Sequence, residues 1–195
     1  MLASTTLPHT YVISGVCASQ MAFLERIAGH VQRGTKLVQL RLGHDQPAQC
    51  YGLARRCKAL ARDSGVALLL NGSLKDARNV GLSCHLPARE LLRLDAEAVQ
   101  QWRDCTDDTH LLGASCHNLA ELRHAQTVGC DFAVLSPVRL TRSHPRRAAL
   151  GLAAFTSMVA DVHLPVFGLG GLHPRDEDAI RRIGGHGVAG ISAFW

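Results

Sequence analysis

The sequence predicts a single (β/α)8 barrel of the TIM type with a shortened C-terminal helix. Three observations carry that expectation. Eight short apolar runs recur along the chain, helical patterns lie between them, and polar residues gather just after the runs. Runs that do not alternate apolar with polar residues have both faces buried, as strands of a parallel sheet do. Eight is the strand count of the closed barrel. A doubly wound open sheet uses the same alternation and is the competing architecture.

The strands are expected at Thr10 to Ser14, Leu37 to Leu40, Ala67 to Leu70, Leu82 to His85, Leu111 to Ser115, Phe132 to Leu135, Val166 to Leu169 and Gly187 to Ser192. After the first strand, Gln20 to Arg33 places Phe23, Leu24, Ile27, Ala28 and Val31 on one helical stripe. Pro47 to Ser64 does the same with Cys50, Leu53, Ala54, Cys57, Leu60 and Ala61, with Asp45 as N-cap and Gly65 as stop. Asn118 to Val128 opens on an Asn cap with Glu121 at the capping-box offset and closes at Gly129. Asp176 to Ile183 ends at Gly184 and Gly185. The chain ends at Trp195, shortly after the last strand, so the final helix is expected to be missing or reduced to a stub and the barrel open on that flank.

With 195 residues, the chain fits one domain spanning 1–195. A hydrophobic fraction of 47% against 19% charged residues argues for a folded globule. The net charge of +5 comes from scattered arginines and lysines rather than a basic run, which argues against nucleic acid as a partner. No apolar run reaches the roughly 18–20 residues of a membrane span. The opening MLASTTLPHTYVIS lacks the layout of a secretory signal. Seven dispersed cysteines without a CxxC pair read as reduced thiols of a cytoplasmic protein.

In such barrels the chemistry collects where the strands end. The stretch VFGLGGLHP runs a buried strand into Gly170 and Gly171, with a helix soon after. Glycines let backbone N–H groups approach an anion, and GVAGISAF with Ser192 follows the next strand, so a phosphate cup is expected there; the alternative is a simple tight turn. Gln39 and Arg41 alternate onto one side of the second strand, where Arg41 meets an anion or closes a structural ion pair. Arg139, Arg142, Arg146 and Arg147 surround Thr141 and Ser143 in a basic loop, solvated or folded over the ligand as a lid. Cys84-His85 and Cys116-His117 are weak as metal ligands and read instead as core thiols beside histidines. None of Lys36, Lys58 and Lys75 lies in or directly after a strand, which disfavours Schiff-base chemistry.

Taken together, YVIS at Tyr11, VQLR at Val38, LLLN at Leu68, HL at His85, LGASCHN at Leu112, GCDFAVLSPVRLTRS at Gly129, VFGLGGL at Val166 and GVAGISA at Gly187 resemble the thiamin phosphate synthase/TenI superfamily over nearly the whole chain. The pattern is especially similar to the TenI-like domain fused behind Nudix (MutT-type) hydrolases. The resemblance implies that Thr141, Ser143, Gly171 and Ser192 hold a thiazole phosphate, beside the Gly170 of the expected glycine cup. It implies that Gln39, Arg41 and Asn71 face the pyrimidine and its pyrophosphate; Ser115, polar at the end of the fifth strand, is expected to bind substrate with them. The ligand is then a phosphorylated small molecule, thiazole phosphate or thiamin phosphate, with a homodimer and a Nudix domain as compatible partners.

Departures from the family pattern accompany it. Gly43 and His144 replace lysines, Gly72 replaces a metal-binding aspartate, and Ala88 lies in the eroded HxGQxD stretch that keeps Glu90. Pyrophosphate departure needs magnesium and cationic side chains, so Gly72 weakens an Mg2+ site and the synthase chemistry with it. No other metal or cofactor is expected. The TenI branch instead moves a proton, and its characteristic histidine corresponds to Pro137; His85, His117 or His144 then carries acid–base work. The resulting expectation is a TenI-like barrel that binds a thiazole or thiamin phosphate. The alternatives are a non-catalytic binding or regulatory domain beside a Nudix hydrolase, and a different phosphate-binding barrel enzyme such as an isomerase.

Overall fold

In the computed structural model, which describes residues 7–42, 47–140 and 148–195 (47–49 by backbone alone), eight parallel strands close into a barrel in chain order. They are β1 Thr10–Ile13, β2 Leu37–Leu40, β3 Ala67–Asn71, β4 Ser83–Leu86, β5 Leu112–Cys116, β6 Phe132–Leu135, β7 Val166–Leu169 and β8 Gly187–Gly190. The helices are α1 Gln20–Gln32, α2 Pro47–Leu60, α3 Leu74–Val80, α4 Ala88–Leu91, α5 Ala96–Asp104, α6 Leu119–Thr127, α7 Gly151–Ala160 and α8 Glu177–Arg182, the last preceded by one 3-10 turn at Pro174–Asp176.

Alternation along each strand divides the core into two shells. Val12, Val38, Leu40, Leu68, Leu70, Cys84, Leu112, Cys116, Leu135 and Val188 point outward and pack against the helices. Tyr11, Ile13, Leu37, Leu69, Phe132, Val134, Phe167 and Ala189 fill the interior. Tyr11 meets Phe132 edge-on at 5.3 Å between ring centres, and Phe132 meets Phe167 at 5.5 Å. This aromatic layer makes the barrel a filled core rather than a pore. Space for it is left by Gly113, where a Cβ would collide with the Phe132 ring and lie 2.9 Å from His85 Nδ1.

The helix-forming signals act locally. Ser19 Oγ accepts the Ala22 N–H to start α1, and Phe23, Leu24, Ile27 and His30 bury its inner face. Asn118 Oδ1 accepts the Glu121 N–H to cap α6, as the spacing predicts. The Glu121 carboxylate takes the His117 N–H and the Asn118 side-chain amide rather than the Asn118 backbone N–H of a full capping box. The expected cap Asp45 lies outside the described residues, and α2 ends at Leu60, which is exposed, short of the expected Ser64. Helices α3, α4, α5 and α7 had no counterpart in the sequence reading.

One expectation is corrected. The flank beside the C-terminus is closed, because β8 pairs with β1 through Thr10–Val188, Tyr11–Ala189 and Val12–Gly190. Ladder hydrogen bonds close a barrel without needing an outer helix at that seam. The stub itself is present as a single turn, with the Trp195 N–H donating to the Ile191 carbonyl at 2.7 Å. Trp195 covers the flank by stacking on His30 (5.4 Å, 12°) and touching Phe23.

Candidate functional site at the strand ends

Four polar side chains from four strands form a connected chain above the aromatic layer. Gln39 Nε2 donates to the Tyr11 hydroxyl at 3.3 Å, that hydroxyl contacts His85 Nδ1 at 3.2 Å, and His85 Nε2 contacts Ser115 Oγ at 2.9 Å. Tyr11, Gln39 and His85 are buried and Ser115 is half-buried, so the chain leads from the interior toward the mouth. A buried polar group without partners costs about 1–3 kcal/mol, which is why the network is closed on itself. Burial, followed by the nearby Arg41 charge, pushes the His85 pKa down to about 3. Burial likewise pushes the Tyr11 phenol up. Both rings are therefore neutral across the ordinary pH range. Tyr11 was missed in the sequence as a site residue, being counted as one more apolar residue of its strand.

Across the barrel the β6–β7–β8 side is built from backbone. Gly170 and Gly171 follow β7 with φ of 107° and 61°, conformations that suit glycine. A Cβ at Gly171 would lie 2.7 Å from the Leu140 carbonyl oxygen and 2.8 Å from Arg139 Cβ. The segment after β6 is laced to this turn, with Val138 N–H on Leu169 O at 2.8 Å and Arg139 N–H on Gly170 O at 3.0 Å. Among the described residues, no acceptor takes the N–H of Gly171 or Ser192. Ser192 is exposed in the turn after β8, the strand paired with β7. Arg139 is committed to Asp176 at 3.1 Å, and Thr141, Ser143 and His144, with Gly43, Arg142, Arg146 and Arg147, lie outside the described residues. Burial pushes the Asp176 carboxyl up, but the His173 N–H and Arg139 outweigh it and hold it below the usual range.

Other predicted residues fall around the same mouth. Arg41 is exposed just past β2, its N–H donating to Ser14 Oγ at 2.8 Å. Asn71 ends β3 directly beside His85, its register partner on β4. His117 follows β5; its Nδ1 lies 3.0 Å from the Ser136 carbonyl, which fixes a proton on Nδ1 and leaves Nε2 with its lone pair. Alternation sends Cys84 and Cys116 into the outer shell while His85 points inward, so Cys84 and His85 do not share a ligand. Burial pushes both thiols up, away from reactivity.

A magnesium site is tested by its oxygen donors. Gly72 offers no side chain; a Cβ there would lie 3.4 Å from Asp76 Oδ2. That carboxylate is already held by the Tyr51 hydroxyl and by the Ser73 N–H and Oγ at 3.2 and 2.7 Å. Glu90 is paired with Arg89 and Arg93. Among the described residues, no three His, Cys, Asp or Glu side chains group as a metal site. Among the described residues, the donor set does not fit a resident Mg2+.

A depression of about 300 Å³ lies at the opposite, N-terminal face, beside His9, Thr10, Lys36 and Glu177. Thr10 Oγ1 donates to Glu177 there at 3.2 Å. That end of a (β/α)8 barrel serves stability rather than chemistry. Among the described residues, no helix is long and apolar enough to cross a membrane.

A family model described as thiamine monophosphate synthase matches residues 10–194. The "Putative thiamine-phosphate synthase 2" of Aquifex aeolicus (strain VF5) is 30% identical over 189 residues, covering 96% of this chain and 98% of that protein. The thiamine-phosphate synthase of Desulfitobacterium hafniense (strain Y51) is 30% identical over 182 residues, covering 88% of this chain and 81% of that one. Among solved structures, the thiamine phosphate pyrophosphorylase from Pyrococcus furiosus superposes with a TM-score of 0.76 at 20% identity, over 94% of this chain and 85% of the other.

Proposed function

We propose that this chain, which belongs to the thiamine monophosphate synthase/TenI family, binds a thiazole phosphate or thiamin phosphate at the C-terminal ends of its strands. The carrying observation is the pair of backbone N–H groups at Gly171 and Ser192, on adjacent strand ends, with no acceptor among the described residues. Two such donors beside a glycine turn are suited to a phosphate dianion. Thr141 and Ser143, from the segment that follows Leu140, would complete the cup. Gln39 is enclosed by its bond to Tyr11, so Arg41, Asn71 and Ser115 would meet the rest of the ligand.

The pyrophosphate chemistry of a synthase is weakened in this reading. Gly72 brings no carboxylate, and Asp76 is engaged with Tyr51 and Ser73. Proton transfer falls to His117, whose Nε2 keeps its lone pair, since both His85 nitrogens are occupied. The second reading is a non-catalytic binding or regulatory domain beside a Nudix hydrolase, favoured by the same engagement of Asp76. A homodimer is compatible with either, and light scattering measures it.

Calorimetric titration with thiamin phosphate tests the proposal, with Ser192→Asp as the anion-repelling control. Binding by the parent chain that vanishes in the control supports the cup. A parent chain that binds no thiamin phosphate removes the thiamin assignment. Replacing His117 by Gln without loss of thiazole tautomer turnover would remove its catalytic role.

A further inference from the structure

The interior hydrogen-bond chain has a direction. A phenol owns one proton, and the Tyr11 oxygen accepts from Gln39 Nε2 at 3.3 Å, which leaves its O–H for His85 Nδ1 at 3.2 Å. A ring nitrogen that accepts carries no proton, so the neutral imidazole holds its hydrogen on Nε2, facing Ser115 Oγ at 2.9 Å. Ser115 Oγ accepts that bond, and its own hydrogen is left to point away from His85. Ser115 is the half-buried member at the end of β5, so that hydrogen serves the mouth.

We propose that Tyr11 and Gln39 are positioning residues that lock His85 as the Nε2–H tautomer and thereby free the Ser115 hydroxyl hydrogen to donate toward the mouth. The consequence for specificity rests on the reading that the mouth is the ligand site. The ligand presents an acceptor to Ser115, a phosphate or carbonyl oxygen or an unprotonated ring nitrogen. A molecule presenting only N–H at that point meets the one remaining lone pair of Ser115 Oγ and leaves the hydroxyl hydrogen without a ligand partner, so an acceptor is preferred there. The surroundings enforce the neutral ring: Phe132 packs 6.2 Å from it, and Gly113 leaves space for it without offering a charge. The nearest cationic influence, Arg41, opposes a second proton.

A Gln39 amide turned by 180° would present its oxygen and reverse the whole chain, leaving the proton on Nδ1 and Ser115 as an acceptor. Long-range 1H–15N correlation spectra of the full chain separate the two directions, with His85 assigned by its loss in His85→Gln. The expected result is a protonated Nε2 and a bare Nδ1, unchanged from pH 8 to pH 5. Protonated Nδ1, or a ring that gains a second proton in that range, overturns the proposal.

Tyr11→Phe is expected to mix the two tautomers, and a spectrum identical to the parent overturns the role of Tyr11. Gln39→Met, of similar volume, makes the same test should Tyr11→Phe fail to fold. With thiamin phosphate as probe, Ser115→Ala is expected to weaken binding about tenfold, one good hydrogen bond. Unchanged binding overturns the donor role. Absence of binding by the parent counts against the proposed function instead, and the spectra still decide the tautomer.

Discussion

The two sides of the barrel mouth are polar for opposite reasons. On the β1–β2–β4–β5 side, polarity comes from the side chains Gln39, Tyr11, His85 and Ser115, bonded to one another with the Ser115 hydroxyl hydrogen left for the mouth. On the β6–β7–β8 side, it comes from backbone, exposed by Gly170, Gly171 and the turn at Ser192. The first arrangement is rigid and neutral, because a buried network tolerates no missing partner. The second has donors to spare. In the proposed function the phosphate dianion therefore sits on the glycine side, and the network side orients the rest of the ligand.

The sharpest way to break the network side is Gly113→Ala. The added methyl meets Phe132 and His85, and overpacking of this kind costs about 3 kcal/mol. Urea denaturation is expected to show the lower midpoint. Gly171→Ala breaks the other side: a left-handed backbone and the Leu140 carbonyl together cost about 1–3 kcal/mol. That variant is expected to lose thiamin phosphate binding more than Gly113→Ala does at equal stability, since it moves the donors themselves.

The remaining two expectations sharpen the contrast through pH. The folded pKa of His85, about 3, lies below its ordinary value of about 6.5, so between the two the unfolded chain holds a proton that the folded chain refuses. Stability contributed by His85 is complete above about pH 6.5 and falls as pH drops toward 3. Burial lowers His30 and His186 too, and they add in the same direction. His85→Gln is expected to remove about one proton's worth of slope from stability measured between pH 6 and pH 4.

Asp76 gives the smallest effect. Burial pushes its carboxyl up, but the Tyr51 and Ser73 hydrogen bonds outweigh it and hold the pKa below the usual range. Its contribution is present above about pH 4 and lost as pH falls through the lowered value. Tyr51→Phe is expected to flatten only that acid limb of the curve.

The strands were legible because each is a bare apolar run buried on both faces, and parallel pairing leaves no other place for such runs. Helix α7, GLAAFTSMVA, was not, because it is apolar almost throughout and shows no stripe. Helix α3 buries only Ala77 and Val80. Seven residues are too few for a period, although its Ser73–Asp76 capping box was readable. In the site, His85, Ser115 and Gln39 stood out as polar residues within buried strands. The partner that joins them, Tyr11, did not, since an aromatic ring satisfies an apolar pattern while hiding a hydroxyl. The reason for Gly113 was equally hidden: its neighbours Phe132 and His85 come from other strands.

Whether the glycine side holds a phosphate through backbone is decided by a crystal structure of the chain grown with thiamin phosphate. Phosphate oxygens are expected within hydrogen-bond distance of the Gly171 and Ser192 nitrogens. A phosphate bound at the N-terminal face, or held by Arg41 with the Gly171 and Ser192 N–H groups left in water, would contradict that expectation.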